Sequence, residues 1–220
     1  MTKRSGARAL ILDFGGVISR TLFETHDLTE RALGLPAGSL DWRGPFDPAN
    51  DTLWQRMQAD EITERAYWQE RTREVGALIG ENWTEMSQFV RAARGAEPGA
   101  VIRPEFRETI ARCRANGVRL AILSNELDLF YGADFRDKLP FLADFDVIID
   151  ATHTGILKPD PRAYRDTLDH LGLPAASCVF VDDQTRNIAG AEAVGLPCVH
   201  FDVAHPGNSY TQALTLLDIR

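Results

Sequence analysis

Ala9-Leu10-Ile11-Leu12 is an unbroken apolar run that stops at Asp13 and is followed by Phe14-Gly15-Gly16-Val17. A run without polar alternation has no face to offer water, so it predicts a strand buried on both sides, as in a parallel sheet covered by helices. Ligands of such sheets bind beyond the carboxyl ends of the strands, which places Asp13 where chemistry is done. Asp before Gly is also an ordinary turn signal, and Asp13 alone therefore decides nothing.

The rest of the chain extends the pattern. From Arg103-Pro104 onward, helix-like and strand-like segments alternate: Glu105 to Asn116 with Gly117 as C-cap, Val118 to Leu123, Asp146 to Asp150, Pro161 to Leu171, Cys178 to Val181, Ile188 to Val194, and Pro197 to Phe201. This alternation predicts an α/β class with a Rossmann-like parallel-sheet core. Between Phe23 and Gly95 no strand-like alternation occurs; helical spacing and turn clusters predict an inserted α-helical unit, with Trp54, Tyr67, Trp68 and Trp83 as its packing. The expected organisation is a core from residues 1–20 and 98–220 interrupted by a helical unit at 21–97.

Three further segments bear chemistry at strand or loop ends. Val118 to Leu123 runs into Ser124-Asn125, Gly155-Ile-Leu is followed by Lys158-Pro159, and Cys178 to Val181 runs into Asp182-Asp183 with Asn187 beyond. A carboxylate, a hydroxyl, an ammonium and a carboxylate pair at successive ends suit phosphoryl transfer, which requires an in-line nucleophile and neutralisation of the transferred oxygens.

In order and surroundings, Asp13, Ser124, Lys158 and Asp182-Asp183 resemble the four motifs of the haloacid dehalogenase-like (HAD) hydrolase superfamily, and the resemblance covers nearly the whole chain. The Asp-Phe-Gly-Gly-Val and Val-Asp-Asp-Gln-Thr-Arg-Asn variants are similar to a subgroup related to the phosphatase domain of soluble epoxide hydrolase and to bacterial sugar-phosphate phosphatases. The resemblance implies a Mg²⁺-dependent phosphomonoester hydrolase that forms an aspartyl-phosphate on Asp13 and acts on a small phosphorylated metabolite. It implies that Ser124, the backbone amide of Asn125 and Lys158 hold the phosphate, and that Asp13, the Gly15 carbonyl and Asp183 hold the metal. Asp182 then positions Lys158, and Asn187, where many relatives carry Asp, lowers the negative charge by one. The helical unit corresponds to the family's substrate-selecting cap.

Gly15 departs from the pattern, because the family's phosphatases carry there the Asp that protonates the leaving alcohol. Glu24, His26, Asp27 and Glu126 are the nearby groups that offer a replacement acid. Two other readings follow from the same departure. A 2-haloacid dehalogenase needs no leaving-group acid, but the acidic pair Asp182-Asp183 is not the pattern of that class. A non-catalytic protein that binds a phosphorylated ligand would tolerate Gly15.

A net charge of −8 argues against non-specific binding to nucleic acid or to an anionic membrane, and no apolar stretch approaches the roughly 18 residues of a membrane span. The four apolar residues that follow the basic N-terminal segment are too few for a signal peptide, so a cytoplasmic location is expected. Cys113, Cys178 and Cys198 lack metal-ligand spacing, and three thiols fit reduced, buried cysteines better than a disulfide framework. The oligomeric state is not legible.

Overall fold

A computed structural model describes residues 8–94 and 98–219. The N-terminal segment in which no signal peptide is expected, and the end of the expected insertion at 95–97, lie outside the described residues. The chain forms two compact units, one made by the segments up to Arg20, Ile102–Leu127 and from Leu139 on, the other by Thr21–Val101 and Asp128–Lys138.

The first unit contains a five-stranded parallel sheet: β1 (Ala9–Leu12), β2 (Arg119–Ser124), β3 (Val147–Asp150), β4 (Cys178–Asp182) and β5 (Cys198–His200), in the order β3-β2-β1-β4-β5. The apolar runs read from the sequence are the strands. All four residues of β1 are buried, which is what a central strand with both faces covered requires. Ile11, Ala121, Leu123 and Phe180 share one core with Ala163 and Tyr164 of the helix Pro161–Leu171 and with Ile188 and Ala191 of the helix Thr185–Ala193. Burying a side chain of the size of Leu, Ile or Phe stabilises by about 1.5–3 kcal/mol, so this face supplies much of what holds the site's platform together.

Parallel strands put all their carboxyl ends at one edge. Leu12 pairs with Ile122 and with Val181, and Ser124 with Asp150, so Asp13, Ser124 and Asp182 emerge side by side from three adjacent strands. Asp13 still belongs to the ladder, its N–H donating to the Val181 carbonyl at 2.9 Å. The chain then turns sharply: Gly15 has φ −72°, and Gly16 sits at φ 81°. Only Gly16 of the two needs glycine for its backbone conformation.

The second unit is helical, with helices His26–Leu33, Thr52–Gln58, Glu64–Leu78 and Met86–Arg94. Its start is fixed by Thr21 and Glu24: the Thr21 N–H and hydroxyl donate to the Glu24 carboxylate, and the Glu24 N–H donates to the Thr21 hydroxyl. Phe23 packs edge-on against Trp42 and Trp54 at 5.5 and 5.4 Å. Trp54, Tyr67 and Trp83 are buried packing residues as expected, and Trp68 is half-buried. Asp51 is buried among them, with its charge matched by Arg71 at 2.6 Å and its lone pairs met by the Trp54 and Gly44 N–H groups and the Tyr67 hydroxyl. The sequence reading leaves residues 128–138 in the core, whereas they group with the helical unit as the short helices Leu127–Tyr131 and Ala133–Asp137. Five-residue helices are too short for periodicity to assign them. Among the described residues no helix is long and apolar enough to cross a membrane.

Candidate active site

Lys158 is the centre of the arrangement. Its side chain is buried, and its Nζ donates to Asp13 Oδ1 and to Asp182 Oδ2, both at 2.6 Å. Burial by itself lowers a lysine pKa; the charges of Asp13 and then Asp182 more than reverse this and hold the ammonium above the usual lysine value. The group is therefore a cation throughout the neutral range. A lone Lys before Pro reads as a solvated loop residue, and the fold makes it an internal cation.

The loop that presents Lys158 is fixed from two sides. The Asn125 carboxamide accepts from the Lys158 N–H at 2.7 Å and donates to the Lys158 carbonyl at 3.2 Å. The family resemblance implies a role only for the Asn125 backbone amide; the side chain's reciprocal pair with Lys158 has no local sequence signal. From the other side, Gly190 of the helix Thr185–Ala193 lies against the loop, where an added Cβ would meet the Pro159 carbonyl oxygen at 2.7 Å and the Tyr164 hydroxyl at 3.0 Å. The Lys158–Pro159 peptide is cis, and the helix that follows runs from Pro161 to Leu171 as expected, capped by Asp160.

Asp182 is fully buried. Its Oδ1 accepts from the Gln184 N–H at 2.8 Å, and Asn187 Nδ2 lies 3.0 and 3.1 Å from its two oxygens. Asn187 is held in turn by the Tyr164 hydroxyl, which donates to its carbonyl at 2.7 Å. An Asp at 187 would face the Asp182 carboxylate across the same gap and repel it, whereas the amide donates to it. Asp183 is half-buried at the end of β4, and its carbonyl lies 3.0 Å from His200 Nε2. Ser124 is buried at the end of β2. Of the predicted residues, Asp13, Lys158, Asp182, Asn125 and Asn187 form one connected network, with Ser124, Asp183 and Gly15 at the adjoining strand ends.

The acid candidates separate by setting. Glu24 is engaged by Thr21, and Asp27 is exposed and paired with Arg31 at 3.0 Å. His26 is buried in the helical unit against Trp42, ring centroids 4.3 Å apart. Glu126 is buried in the same unit as Asp13, two residues beyond Ser124.

The donors gathered here are oxygens apart from Lys158: the ammonium lies between the carboxylates Asp13 and Asp182, and Asp183 follows at the end of β4. Hard oxygen donors of this kind suit Mg²⁺.

Residues 7–195 match the family model for haloacid dehalogenase-like hydrolases, and the chain belongs to that family. It is a hydrolase with an α/β Rossmann-like core. It is 33% identical over 207 residues to protein CbbY of Cupriavidus necator, spanning 87% of this chain and 77% of that one. It is 28% identical over 203 residues to the phosphoglycolate phosphatase of Yersinia pseudotuberculosis, spanning 90% and 82%. It also matches mouse acyl-CoA dehydrogenase family member 10 at 27% identity over 196 residues, but spans only 18% of that protein's length. Among solved structures, L-2-haloacid dehalogenase from Xanthobacter autotrophicus superposes with a TM-score of 0.58 at 21% identity, covering 89% of this chain and 78% of that one. CbbY from Rhodobacter sphaeroides in complex with xylulose-(1,5)bisphosphate superposes with a TM-score of 0.54 at 22% identity, covering 88% and 85%. These two likenesses concern the fold.

Proposed function

We propose that the protein is a Mg²⁺-dependent phosphomonoester hydrolase that acts on a small phosphorylated metabolite through an aspartyl-phosphate on Asp13. The observation that carries this reading is the buried Lys158 ammonium held 2.6 Å from both Asp13 and Asp182. The names of the curated relatives, a phosphoglycolate phosphatase among them, support it.

Asp13 attacks phosphorus; a new bond forms between its carboxylate oxygen and phosphorus as the bond from phosphorus to the alcohol oxygen breaks, and the alcohol leaves as an oxyanion that takes its proton from solvent. Two like charges about 4 Å apart repel by roughly 4 kcal/mol at an effective dielectric of 20, so the carboxylate needs cations around the incoming phosphate. Lys158 supplies one and fixes the rotation of the Asp13 carboxylate. Ser124 and the Asn125 amide donate to the phosphate oxygens. Asp13, the Gly15 carbonyl and Asp183 would hold Mg²⁺, which when bound offsets the charge of the transferred group. Water then cleaves the aspartyl-phosphate, releasing phosphate and restoring the Asp13 carboxylate. With Gly at 15 no side chain there can protonate the leaving alcohol. The helical unit acts as the cap that selects the substrate, and the buried thiols Cys113 and Cys178 accord with a reducing, cytoplasmic setting.

The test is a screen of phosphate esters with and without Mg²⁺, scored by phosphate release. Release that needs both Mg²⁺ and Asp13 supports the reading; no release from any ester favours a protein that only binds a phosphorylated ligand.

A further inference from the structure

We propose that Arg103 is a positioning residue for Asp13, acting through the loop that leaves β1; the proposal rests on the phosphatase reading above. Arg103 enters the sequence only as the residue before a helix-starting Pro, yet it is 2% exposed. Three successive carbonyls of the loop accept hydrogen bonds, two of them from Arg103. Arg103 Nε donates to Gly16 O at 2.9 Å, the Tyr210 hydroxyl to Val17 O at 2.8 Å, and the Arg103 N–H to Ile18 O at 3.0 Å. The Ser19 N–H closes the loop on Phe14 O at 3.0 Å, and Ser19 forms a bridge with Ile102. The guanidinium lies 5.4 Å from the Phe201 ring centroid, and Phe201 packs on Tyr210 at 5.1 Å. Arg103, Phe201 and Tyr210 thus make a platform under the loop.

The loop begins at Asp13 and contains Gly15, both in the proposed reacting and metal-holding set. Its own sequence cannot hold it still, since two adjacent glycines have the widest backbone freedom. A hydrogen bond from a charged donor is stronger than one between neutral groups, and it selects one orientation of the Gly16–Val17 peptide. A displacement of about 1 Å at a reacting group costs on the order of 10²-fold in rate. Lys does not replace Arg here, because the contact uses Nε within a rigid planar fork that also stacks on an aromatic face.

Arg103→Gln and Arg103→Lys are compared with wild type and with Cys113→Ala, a buried substitution in the helix Pro104–Ala115 that Arg103 precedes. Two quantities are read: steady-state kinetics on an aryl phosphate with Mg²⁺, and hydrogen exchange of residues 14–19. Arg103→Gln lowers kcat by about tenfold or more with KM within about threefold, and speeds exchange in 14–19 while β1 stays protected. Arg103→Lys shows a smaller loss of kcat, about threefold or more, and decides the matter if Arg103→Gln does not fold. Cys113→Ala lowers the melting temperature and keeps both quantities. Folded Arg103 variants within about twofold of wild type in kcat and exchange would overturn the proposal. So would an equal loss of kcat in Cys113→Ala. A wild type that neither releases phosphate nor requires Mg²⁺ would overturn the phosphatase reading and the catalytic consequence with it, while exchange in 14–19 would still decide whether Arg103 clamps the loop.

Discussion

Lys158 Nζ and Asp13 Oδ1 lie 2.6 Å apart across 145 residues of sequence. Neither group is stable in its place alone. A buried ammonium needs an anion, and Asp13 and Asp182 need a cation; removing one partner of a buried pair costs about 3–5 kcal/mol.

Lys158→Met therefore destabilises the fold as well as the reaction, by about 3 kcal/mol at pH 7.5. Denaturant unfolding of both proteins at pH 7.5 measures this. A difference under about 0.5 kcal/mol at pH 7.5 would make Lys158 an ordinary surface residue.

The same site depends on a missing side chain. Gly190→Ala places a Cβ 2.7 Å from the Pro159 carbonyl oxygen, which is backbone and cannot swing away. The helix or the Lys158 loop must shift, and catalysis should fall by about tenfold or more while overpacking costs about 1–3 kcal/mol. Unchanged kinetics in Gly190→Ala would show that the Lys158 loop tolerates displacement.

How much of this was legible follows from the kind of interaction. β1, β2 and β4 are visible because strands buried on both faces leave continuous apolar runs, and Asp13, Ser124 and Asp182 because a parallel sheet gathers strand ends at one edge. The roles of the Asn125 and Arg103 side chains, and of the bare backbone at Gly190, are not visible. Each acts on a partner 30 or more residues away, on backbone atoms that any residue carries. Burial of Lys158 has no local signal for the same reason: its anions come from two other segments. The grouping of residues 128–138 with the helical unit rests on contacts that no local pattern announces.

The two glycines after Phe14 should respond differently. Gly15 has φ −72°, which any residue adopts, whereas Gly16 at φ 81° strains a side chain by about 1–2 kcal/mol. Gly15→Asp is therefore expected to fold and to raise the ratio of alkyl to aryl phosphate hydrolysis, since a positioned acid contributes roughly 10²–10⁴-fold and helps the poorer leaving group more. Gly16→Ala should lose stability. A wild type that cleaves both ester classes equally would mean that another residue already supplies the proton, with Glu126 the first to replace.

Burial, and next the charge of Arg43, lowers the His26 pKa from 6.5 to about 4. Between those values the unfolded chain binds a proton that the folded chain does not, so stability falls as pH drops from about 6.5 to about 4 and levels below. The contribution is on the order of 3 kcal/mol. His26→Gln should flatten this part of the stability profile relative to wild type, and parallel profiles for the two proteins would contradict it.

The central claim is that Asp13 carries the phosphoryl group. Acid-quenching the enzyme during turnover of an aryl phosphate with Mg²⁺, followed by mass spectrometry of the peptides, reads this directly. The account predicts one hydroxylamine-labile phosphoryl group on the peptide containing Asp13, and none in Asp13→Asn, whose rate falls by several orders of magnitude. A phosphoryl group on another residue, or an Asp13→Asn variant that keeps more than about a tenth of the wild-type rate, would contradict it.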